Sequence, residues 1–277
     1  MRAWPRFLLG RGSAGELYDL RGDGAIEGTG ETPVVNMGYW ADLHPREPRS
    51  LERANYAMFD LVIRGADARE GHHVVDAGCG FGTNAIQLAS TTGARVTGVN
   101  VSAVQLATAA TRVAAAGLSG AVDLHHGSVL ALRAADASVD AVVSVEAAFH
   151  FDPRRAFFAE AYRVLKPGGR LSVVDLVVPP PRSFWQRLAC DLICRSQSIP
   201  GANLGDRDAW LADLRAAGFV VRESESIVDR VFPAFRRWML TRPPGVYLRY
   251  DLAYIAASLP YLVYPFDYVR VVAEKPR

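Results

Sequence analysis

Short apolar runs alternate with helix-like segments from residue 72 to the end of the chain. The runs are rich in valine and other strand-forming residues and predict strands that begin at Val74, Arg95, Val122, Asp140, Arg170, Phe219 and Tyr268. Segments with caps or terminating glycines lie between them and predict helices over residues 84–90, 102–116, 154–165 and 210–217. This alternation predicts an α/β fold with a doubly wound, mostly parallel sheet.

Three segments lie outside this alternation. Residues 1–70 are predicted to form an N-terminal helical extension, and residues 71–277 the core domain. The core is interrupted by residues 178–208, which begin with a run of prolines, and by residues 227–266, which are rich in aromatics. Both insertions follow a predicted strand, so they stand at the carboxyl ends of the sheet, where open α/β sheets bind ligands. They are predicted to form a helical lid.

A glycine-rich turn, VVDAGCGFGT at residues 74–83, follows the first predicted strand. Glycine at residues 78, 80 and 82 lets the backbone bend sharply and approach a ligand closely. The helix that follows directs its N-terminal N–H groups toward such a ligand. The spacing differs from the dinucleotide fingerprint, because Thr83 stands where that motif needs its last glycine or alanine. This difference disfavours a nicotinamide-dependent oxidoreductase.

The spacing D-x-G-x-G-x-G, which begins at Asp76, resembles motif I of the class I S-adenosylmethionine (SAM) dependent methyltransferases. In that family the loop holds the methionine part of the cofactor, and its ammonium group lies near the acidic residue. The turn LKPGGR at residues 165–170 resembles the turn before the fifth strand of the same family. The resemblance implies SAM as cofactor, S-adenosylhomocysteine (SAH) as product, and an antiparallel last strand at the edge of a seven-stranded sheet.

The resemblance also implies where the cofactor binds. Tyr39 and Trp40 resemble an aromatic motif that closes over the cofactor in natural-product methyltransferases, and Tyr18 resembles a tyrosine that contacts it. The alternative for Tyr39 and Trp40 is a buried aromatic pair that packs against the N-terminal helix. Asn100 stands where an acidic residue usually accepts the ribose hydroxyls, and Ser128 stands where an aspartate usually accepts the adenine amino group. The residues expected to contact the cofactor are Tyr18, Tyr39, Trp40, Asp76, Gly78, Cys79, Gly80, Gly82, Asn100, Val101, Gln105, Gly127, Ser128, Val129 and Val145.

The segment after the fourth predicted strand carries the candidate catalytic residues. Glu146 and His150 resemble the E-x-x-x-H element of sugar and polyketide O-methyltransferases, in which the histidine takes a proton from the acceptor hydroxyl. Asp175, at the end of the fifth strand, matches an aspartate that faces the acceptor in these relatives, and we expect it to orient His150 or the substrate. Structural roles stay open for Glu146, as a helix-start carboxylate, and for His150, as a histidine bonded to the lid.

Composition narrows the class of partner. The 277 residues are half apolar and carry a net charge of +2 without a basic run, which disfavours nucleic-acid binding. No metal-ligand spacing is visible, and the three cysteines form no disulfide framework, as in a reducing cytoplasm. The apolar stretch at residues 252–264 is broken by Pro260 and too short for a membrane span. These features predict a cytoplasmic protein.

The predicted function is transfer of a methyl group from SAM to a hydrophobic secondary metabolite, at a hydroxyl oxygen and with His150 as base. The lid aromatics are expected to form a large apolar pocket that excludes water. One alternative is methylation at a carbon of an indole, a phenol ring or a prenyl alkene, with cyclisation of the cation that forms. Another is a non-catalytic partner protein with the same fold. The N-terminal extension is a candidate surface for a homo-oligomer.

Overall fold

The computed structural model describes Glu16, Asp19 and residues 36–241 and 264–277. Three predictions fall outside these described residues: the cofactor contact at Tyr18, most of the N-terminal extension before residue 36, and residues 242–263 of the second lid insertion. Within the described ranges, no helix is both long enough and apolar enough to cross a lipid bilayer.

A mixed sheet forms the centre of the fold. Its strands are β1 (His73–Ala77), β2 (Arg95–Asn100), β3 (Val122–His126), β4 (Val139–Val145), β5 (Leu165–Val177), β6 (Val220–Ser226) and β7 (Asp267–Glu274). Their order across the sheet is β3-β2-β1-β4-β5-β7-β6. β1 to β5 pair in parallel, and β7 pairs antiparallel with both β5 and β6. The predicted seven-stranded, mostly parallel sheet with an antiparallel last strand is confirmed.

Helices cover both faces of this sheet. They are α1 (Ser50–Ala66), α2 (Thr83–Thr92), α3 (Ala103–Ala115), α4 (Arg154–Val164), α5 (Phe184–Ser196), α6 (Arg207–Ala216) and α7 (Phe232–Leu240). Val74 and Val143 pack with α1 and α2, whereas their chain neighbours Val75 and Val142 pack with α4 and α6. Successive strand side chains point to opposite faces, so strands buried on both faces need the near-continuous apolar runs of this sequence.

Strand β5 begins at Leu165, earlier than the predicted start at Arg170. The pairing with β4 is irregular over this stretch, and its register shifts before Arg170. Gly168 has a φ of +80° there, and its N–H donates to Lys275 O at 2.8 Å. The Pro-Gly-Gly sequence that predicts a turn therefore forms an irregular stretch of strand, which the C-terminal end of the chain holds in place.

The order of strands reverses between β1 and β4. From β1 the chain runs outward through β2 and β3, and it then returns to place β4 on the other side of β1. Where the two halves of a doubly wound sheet separate in this way, a crevice opens outside the carboxyl ends of the strands. The turns after β1 and β4 therefore lie side by side at this crevice, and the helices that follow them, α2 and α4, pack on opposite faces of the sheet.

Replacing Gly65 with alanine should destabilise the fold, because α1 approaches the sheet closely at this residue. A Cβ there would lie 2.3 Å from Ser172 Oγ and 2.7 Å from Val272 Cγ2. We expect Gly65→Ala to lower the free energy of unfolding in urea by about 1–3 kcal/mol, the usual result of overpacking. Gly120→Ala is the matched control, because a Cβ there meets no described atom within 4 Å. Equal stability of the two variants would contradict the close packing of α1.

Candidate active site

A cavity of about 570 Å³ opens at the carboxyl ends of β1, β2 and β4. Its walls include the turns after β1 and β4, the loops after β2 and β3, and two residues of the N-terminal extension, Glu16 and Asp19. The predicted site residues that line it are Asp76, Gly78, Cys79, Gly80, Asn100, Val101, Gln105, Ser128, Val129, Val145, Glu146 and His150. The fold thus brings most of the predicted site together around one cavity.

Among the described residues, the predicted site residues that lie outside this lining are Tyr39, Trp40, Gly82, Gly127 and Asp175. Trp40 packs in a separate apolar cluster with Phe235 and Trp238 of α7. The hydroxyl of Tyr39 accepts a hydrogen bond from Arg230 at 2.9 Å. A contact between this aromatic pair and the cofactor therefore stays a prediction.

The glycine turn has backbone angles that favour glycine. Gly78, Gly80 and Gly82 have φ values of +82°, +51° and +75°, in a region that other residues rarely adopt. A Cβ at Gly78 would lie 2.4 Å from Ala147 Cβ in the turn after β4. A Cβ at Gly80 would meet only Gln105 Oε1, at 3.9 Å, among the described atoms. The turn therefore packs tightly on one side and leaves open space above Gly80, whereas Gly82 serves as the N-cap of α2.

Asp76 brings a buried carboxyl group to the mouth of this turn, where its side chain is 2% exposed. Asn84 donates to Asp76 Oδ1 at 3.0 Å, and Oδ2 is buried without a hydrogen-bond partner among the described residues. Burial raises the pKa of Asp76 to about 7, and the Asn84 amide and the Ala85 N–H oppose that rise. An unsatisfied buried oxygen is unfavourable, so this wall of the cavity suits a cationic ligand group.

The loop after β2 presents neutral amides to the cavity. Asn100 donates to Gln105 Oε1 at 2.8 Å, and Asn100 Oδ1 accepts the Val101 N–H at 3.0 Å. The Ser102 hydroxyl caps α3 and donates to Asp19 Oδ1 at 2.5 Å. The N-terminal extension therefore brings a carboxylate to the strand end at which Asn100 lacks one. The sequence indicated a cofactor contact for the segment that contains Tyr18 and Asp19, but not the contact of Asp19 with Ser102, because no local pattern indicates a pair 83 positions apart.

The loop after β3 closes another side of the cavity. The Gly127 N–H donates to Asn100 O at 3.0 Å, which ties this loop to the end of β2. Ser128 Oγ accepts the Leu130 N–H at 3.2 Å. Ser128, Val129 and Leu130 all line the cavity, so this side is mainly apolar with one hydroxyl.

Glu146 stands at the end of β4 in a backbone conformation uncommon for its type, with a φ of +46°. Its N–H donates to Val174 O at 2.9 Å, and its Oε1 accepts the Met37 N–H at 2.6 Å. Burial raises the pKa of Glu146 to about 7, and the Tyr268 hydroxyl and the Met37 N–H oppose the rise. The carboxyl group thus ties the segment before α1 to the wall of the cavity.

His150 ends a short 3-10 helix, Ala148–His150, that follows β4. It lines the cavity with 9% of its surface exposed, and its Nδ1 lies 3.3 Å from Ser198 O. A carbonyl oxygen only accepts hydrogen bonds, so Nδ1 carries the proton in this contact. In a neutral ring Nε2 is then the basic nitrogen, and the ring can accept a proton there.

Asp175 is fully buried in β5, and its Oδ1 accepts the Leu176 N–H at 2.9 Å. Burial raises the pKa of Asp175 to about 8; the Arg154 guanidinium opposes the rise and the Glu146 carboxyl adds to it. The backbone N–H of Phe149 also favours the carboxylate. Of the residues that stabilise the carboxylate, Phe149 is the one that adjoins His150, and the expected role of Asp175 in orienting that histidine stays a prediction.

Comparison with known proteins places this geometry in context. Residues 75–173 match the family model described as a methyltransferase domain. Erythromycin 3''-O-methyltransferase of Saccharopolyspora erythraea is 31% identical to the chain over 235 residues, which are 80% of this chain and 73% of that protein. The matched domain runs from β1 into β5 and includes the glycine turn and the turn after β4.

Solved structures show the same fold. The crystal structure of the [4+2]-cyclase SpnF superposes with a TM-score of 0.78 at 27% identity and covers 96% of this chain and 97% of that one. Geranyl diphosphate C-methyltransferase from Streptomyces coelicolor A3(2), solved with Mg²⁺, geranyl diphosphate and SAH, superposes with a TM-score of 0.74 at 20% identity. It covers 93% of this chain and 98% of that one, and the likeness shows the fold alone.

The buried carboxyl of Asp175 should make stability depend on pH. Because its pKa rises from 3.8 to about 8 on folding, the fold favours the protonated form. The stability that this provides is full below about pH 4 and is lost as the pH rises to about 8. Asp175→Asn keeps the acceptor for the Leu176 N–H and cannot ionise. We expect its Tm, relative to that of the wild type, to rise steadily over this range.

Asp42→Asn, at an exposed position, is the control for this experiment. Its Tm difference from the wild type should stay constant with pH in scanning calorimetry. The same flat difference for Asp175→Asn would show that the buried carboxyl does not gain a proton on folding.

Proposed function

This chain belongs to the SAM-dependent methyltransferases, and we propose that it methylates a hydroxyl oxygen of a hydrophobic natural product with His150 as the base. The observation that carries the proposal is the contact of His150 Nδ1 with a backbone carbonyl at the wall of the cavity. Relatives with names such as erythromycin 3''-O-methyltransferase support a secondary metabolite as the acceptor.

The described cavity fits SAM. The unpartnered Oδ2 of Asp76 suits the ammonium group of the methionine part, and the open space above Gly80 suits a close approach of that part to the backbone. Asn100, Gln105 and the nearby Asp19 suit the ribose hydroxyls. When bound, the cofactor supplies a methyl group on a positively charged sulfur, which needs no further activation.

The residues of the chain then have two tasks. The walls of the cavity hold the acceptor oxygen in line with the methyl group, which by itself contributes several kcal/mol to catalysis. His150 takes the hydroxyl proton at Nε2 as the oxygen gains the methyl group, and the neutral thioether product leaves. The ring nitrogen gains the proton, the oxygen gains the methyl group and the sulfur keeps the electron pair of the broken sulfur–carbon bond. No further reactant is needed.

Charge indicates which acceptors fit. Five carboxyl residues line the cavity, namely Glu16, Asp19, Asp76, Glu146 and Asp152, and no lysine or arginine of the described residues does. Phe59, Phe81 and Phe151 supply apolar surface. An anionic group would meet repulsion without a compensating cation. These features support a neutral or cationic hydrophobic acceptor over a phosphorylated one.

A second candidate function is cyclisation of a polyene on the same fold. The similarity to SpnF, named a [4+2]-cyclase, extends over nearly the whole chain and favours it.

Carbon methylation is the alternative within the methyltransferases, and the aromatic wall of the cavity would stabilise a cation formed from an alkene.

A screen separates these functions. The full chain is incubated with SAM and a panel of neutral polyketides that carry free hydroxyls, phenols or conjugated dienes, and the products are identified by mass spectrometry and NMR. A product that gains one methyl group on oxygen supports the proposal. Gain of the methyl group on carbon, or a cyclised product of unchanged mass, would contradict it.

His150→Gln should slow methyl transfer to an acceptor found in that screen by about 10²–10⁴-fold, the usual contribution of a general base. The Kd for SAH should change by less than about twofold, because binding and proton transfer use different residues. His125→Gln, at a strand end outside the cavity lining, should leave both quantities unchanged. Undiminished turnover of His150→Gln would exclude the base.

Binding of SAH should release a proton from Asp76. The pKa of Asp76 is about 7 without ligand, and an adjacent ammonium group favours the carboxylate and lowers that pKa. We expect release of up to about one proton near pH 6, and less as the pH rises to about 8. Calorimetry in buffers with different ionisation enthalpies measures this release.

Asp76→Asn should abolish the release and weaken SAH binding by at least about 10-fold. Asp140→Asn removes a carboxyl group at the opposite end of the parallel strands and should change neither quantity. Proton release that persisted in Asp76→Asn would assign the titrating group to another residue.

A further inference from the structure

The turn that carries His150 is held from outside by one buried amide. Asn203, 3% exposed, lies in a short 3-10 helix, Gly201–Asn203. Its Nδ2 donates to Phe149 O at 3.0 Å and to Phe151 O at 2.7 Å. Its Oδ1 accepts the Arg154 N–H at 2.9 Å. The amide therefore joins the carbonyls of the two residues that flank His150 to the first turn of α4.

A second contact reaches the imidazole from the end of α5. Ser198 follows this helix with a φ of +50°, a left-handed conformation that is uncommon for serine. The Ile199 N–H donates to Cys194 O at 2.8 Å, which closes the helix end around Ser198. The Ser198 hydroxyl is buried without a partner among the described residues. Its carbonyl oxygen lies 3.3 Å from His150 Nδ1.

Backbone strain and an unsatisfied hydroxyl at one residue point to a constraint from function rather than from local stability. A glycine at this position would adopt the left-handed conformation without strain and would have no unsatisfied hydroxyl. The distinctive contact of Ser198 is the one that its carbonyl makes with the imidazole. Because that oxygen only accepts, the contact selects the ring form with the proton on Nδ1.

We propose that Ser198 and Asn203 are positioning residues that fix His150 as the Nδ1–H tautomer, which makes Nε2 the basic nitrogen of the ring. Asn203 fixes the backbone on both sides of the histidine, and the Ser198 carbonyl fixes the ring. The inference rests on the proposed function of His150 as a base. It assigns to residues 198–203, within a predicted lid insertion, the orientation that sequence reasoning expected of Asp175.

The hydrogen bonds that the Asn203 amide donates can be removed with little change in its shape. Asn203→Asp has nearly the same shape and keeps an acceptor for the Arg154 N–H, but its carboxylate cannot donate to the carbonyls of Phe149 and Phe151. Asn203→Ala removes the side chain and serves as the second variant if the carboxylate prevents folding. Asn203 lies outside the cavity lining, so neither change alters a residue in contact with SAH.

The test is the tautomer of His150 in the full chain, read from long-range ¹H–¹⁵N NMR correlations of the imidazole rings. The chain has six histidines, and His150→Gln identifies the signal. Spectra are recorded about two pH units above the ordinary histidine pKa of about 6.5, where a histidine ring is neutral. In the wild type we expect a single tautomer, protonated at Nδ1. In Asn203→Asp and Asn203→Ala we expect that the Nδ1–H tautomer is no longer the single form.

The control is Phe219→Leu, a change in the core at the end of α6 that should lower Tm without changing the tautomer. The Kd for SAH should stay within about twofold of the wild type in both Asn203 variants. An Nε2–H tautomer in the wild type would overturn the proposal, as would an unchanged Nδ1–H tautomer in folded Asn203 variants. Undiminished turnover of His150→Gln, with the tautomer as expected, would instead overturn the role of His150 as base.

Discussion

The reversal of strand order between β1 and β4 is the constraint on which the site depends. The helices that follow these two neighbouring strands pack on opposite faces of the sheet, which leaves an open crevice at its carboxyl edge. Gly78 lies close to Ala147 because β1 and β4, which precede these residues, are direct neighbours in the sheet. The glycine turn, the end of β2 and the turn with His150 then face one cavity. The strand ends of the sheet thus place most of the loops and turns that line the cavity.

Buried acid groups give this crevice its electrostatic character, because no lysine or arginine lines it among the described residues. Asp76 and Glu146 line the cavity and are buried, and burial raises the pKa of both. An ionised carboxylate in such a place is unfavourable unless it is paired. A ligand with an ammonium and a sulfonium group supplies the missing positive charge near Asp76. The same arrangement supports the proposed neutral or cationic acceptor, so one property of the site bears on both the cofactor and the proposed substrate.

Much of the fold and part of the site could be predicted from the sequence, because both depend on local patterns. Valine-rich runs predicted the strands, caps and terminating glycines predicted the helices, and the spacing from Asp76 through the glycine turn resembles motif I of the family. The turn after β4 was predicted because Glu146 and His150 resemble the E-x-x-x-H element of O-methyltransferases and follow a predicted strand. These features need no knowledge of which distant segments meet.

The remainder depends on contacts between distant parts of the chain. Asp19 reaches Ser102, and Asn203 reaches Phe149, across 83 and 54 positions. No periodicity or turn propensity indicates such pairs, which form only when helices pack on the sheet. The aromatic pair at Tyr39 and Trp40 lies outside the cavity lining for a similar reason, since Trp40 packs in a cluster with residues of α7.

The measurement that tests this account most directly is a crystal structure of the full chain with SAH bound. The account predicts that the ligand lies along the glycine turn, with its amino nitrogen within hydrogen-bond distance of Asp76 Oδ2 and its sulfur directed toward the side of the cavity with His150. SAH bound with its amino nitrogen away from Asp76, or with its sulfur directed away from His150, would contradict it.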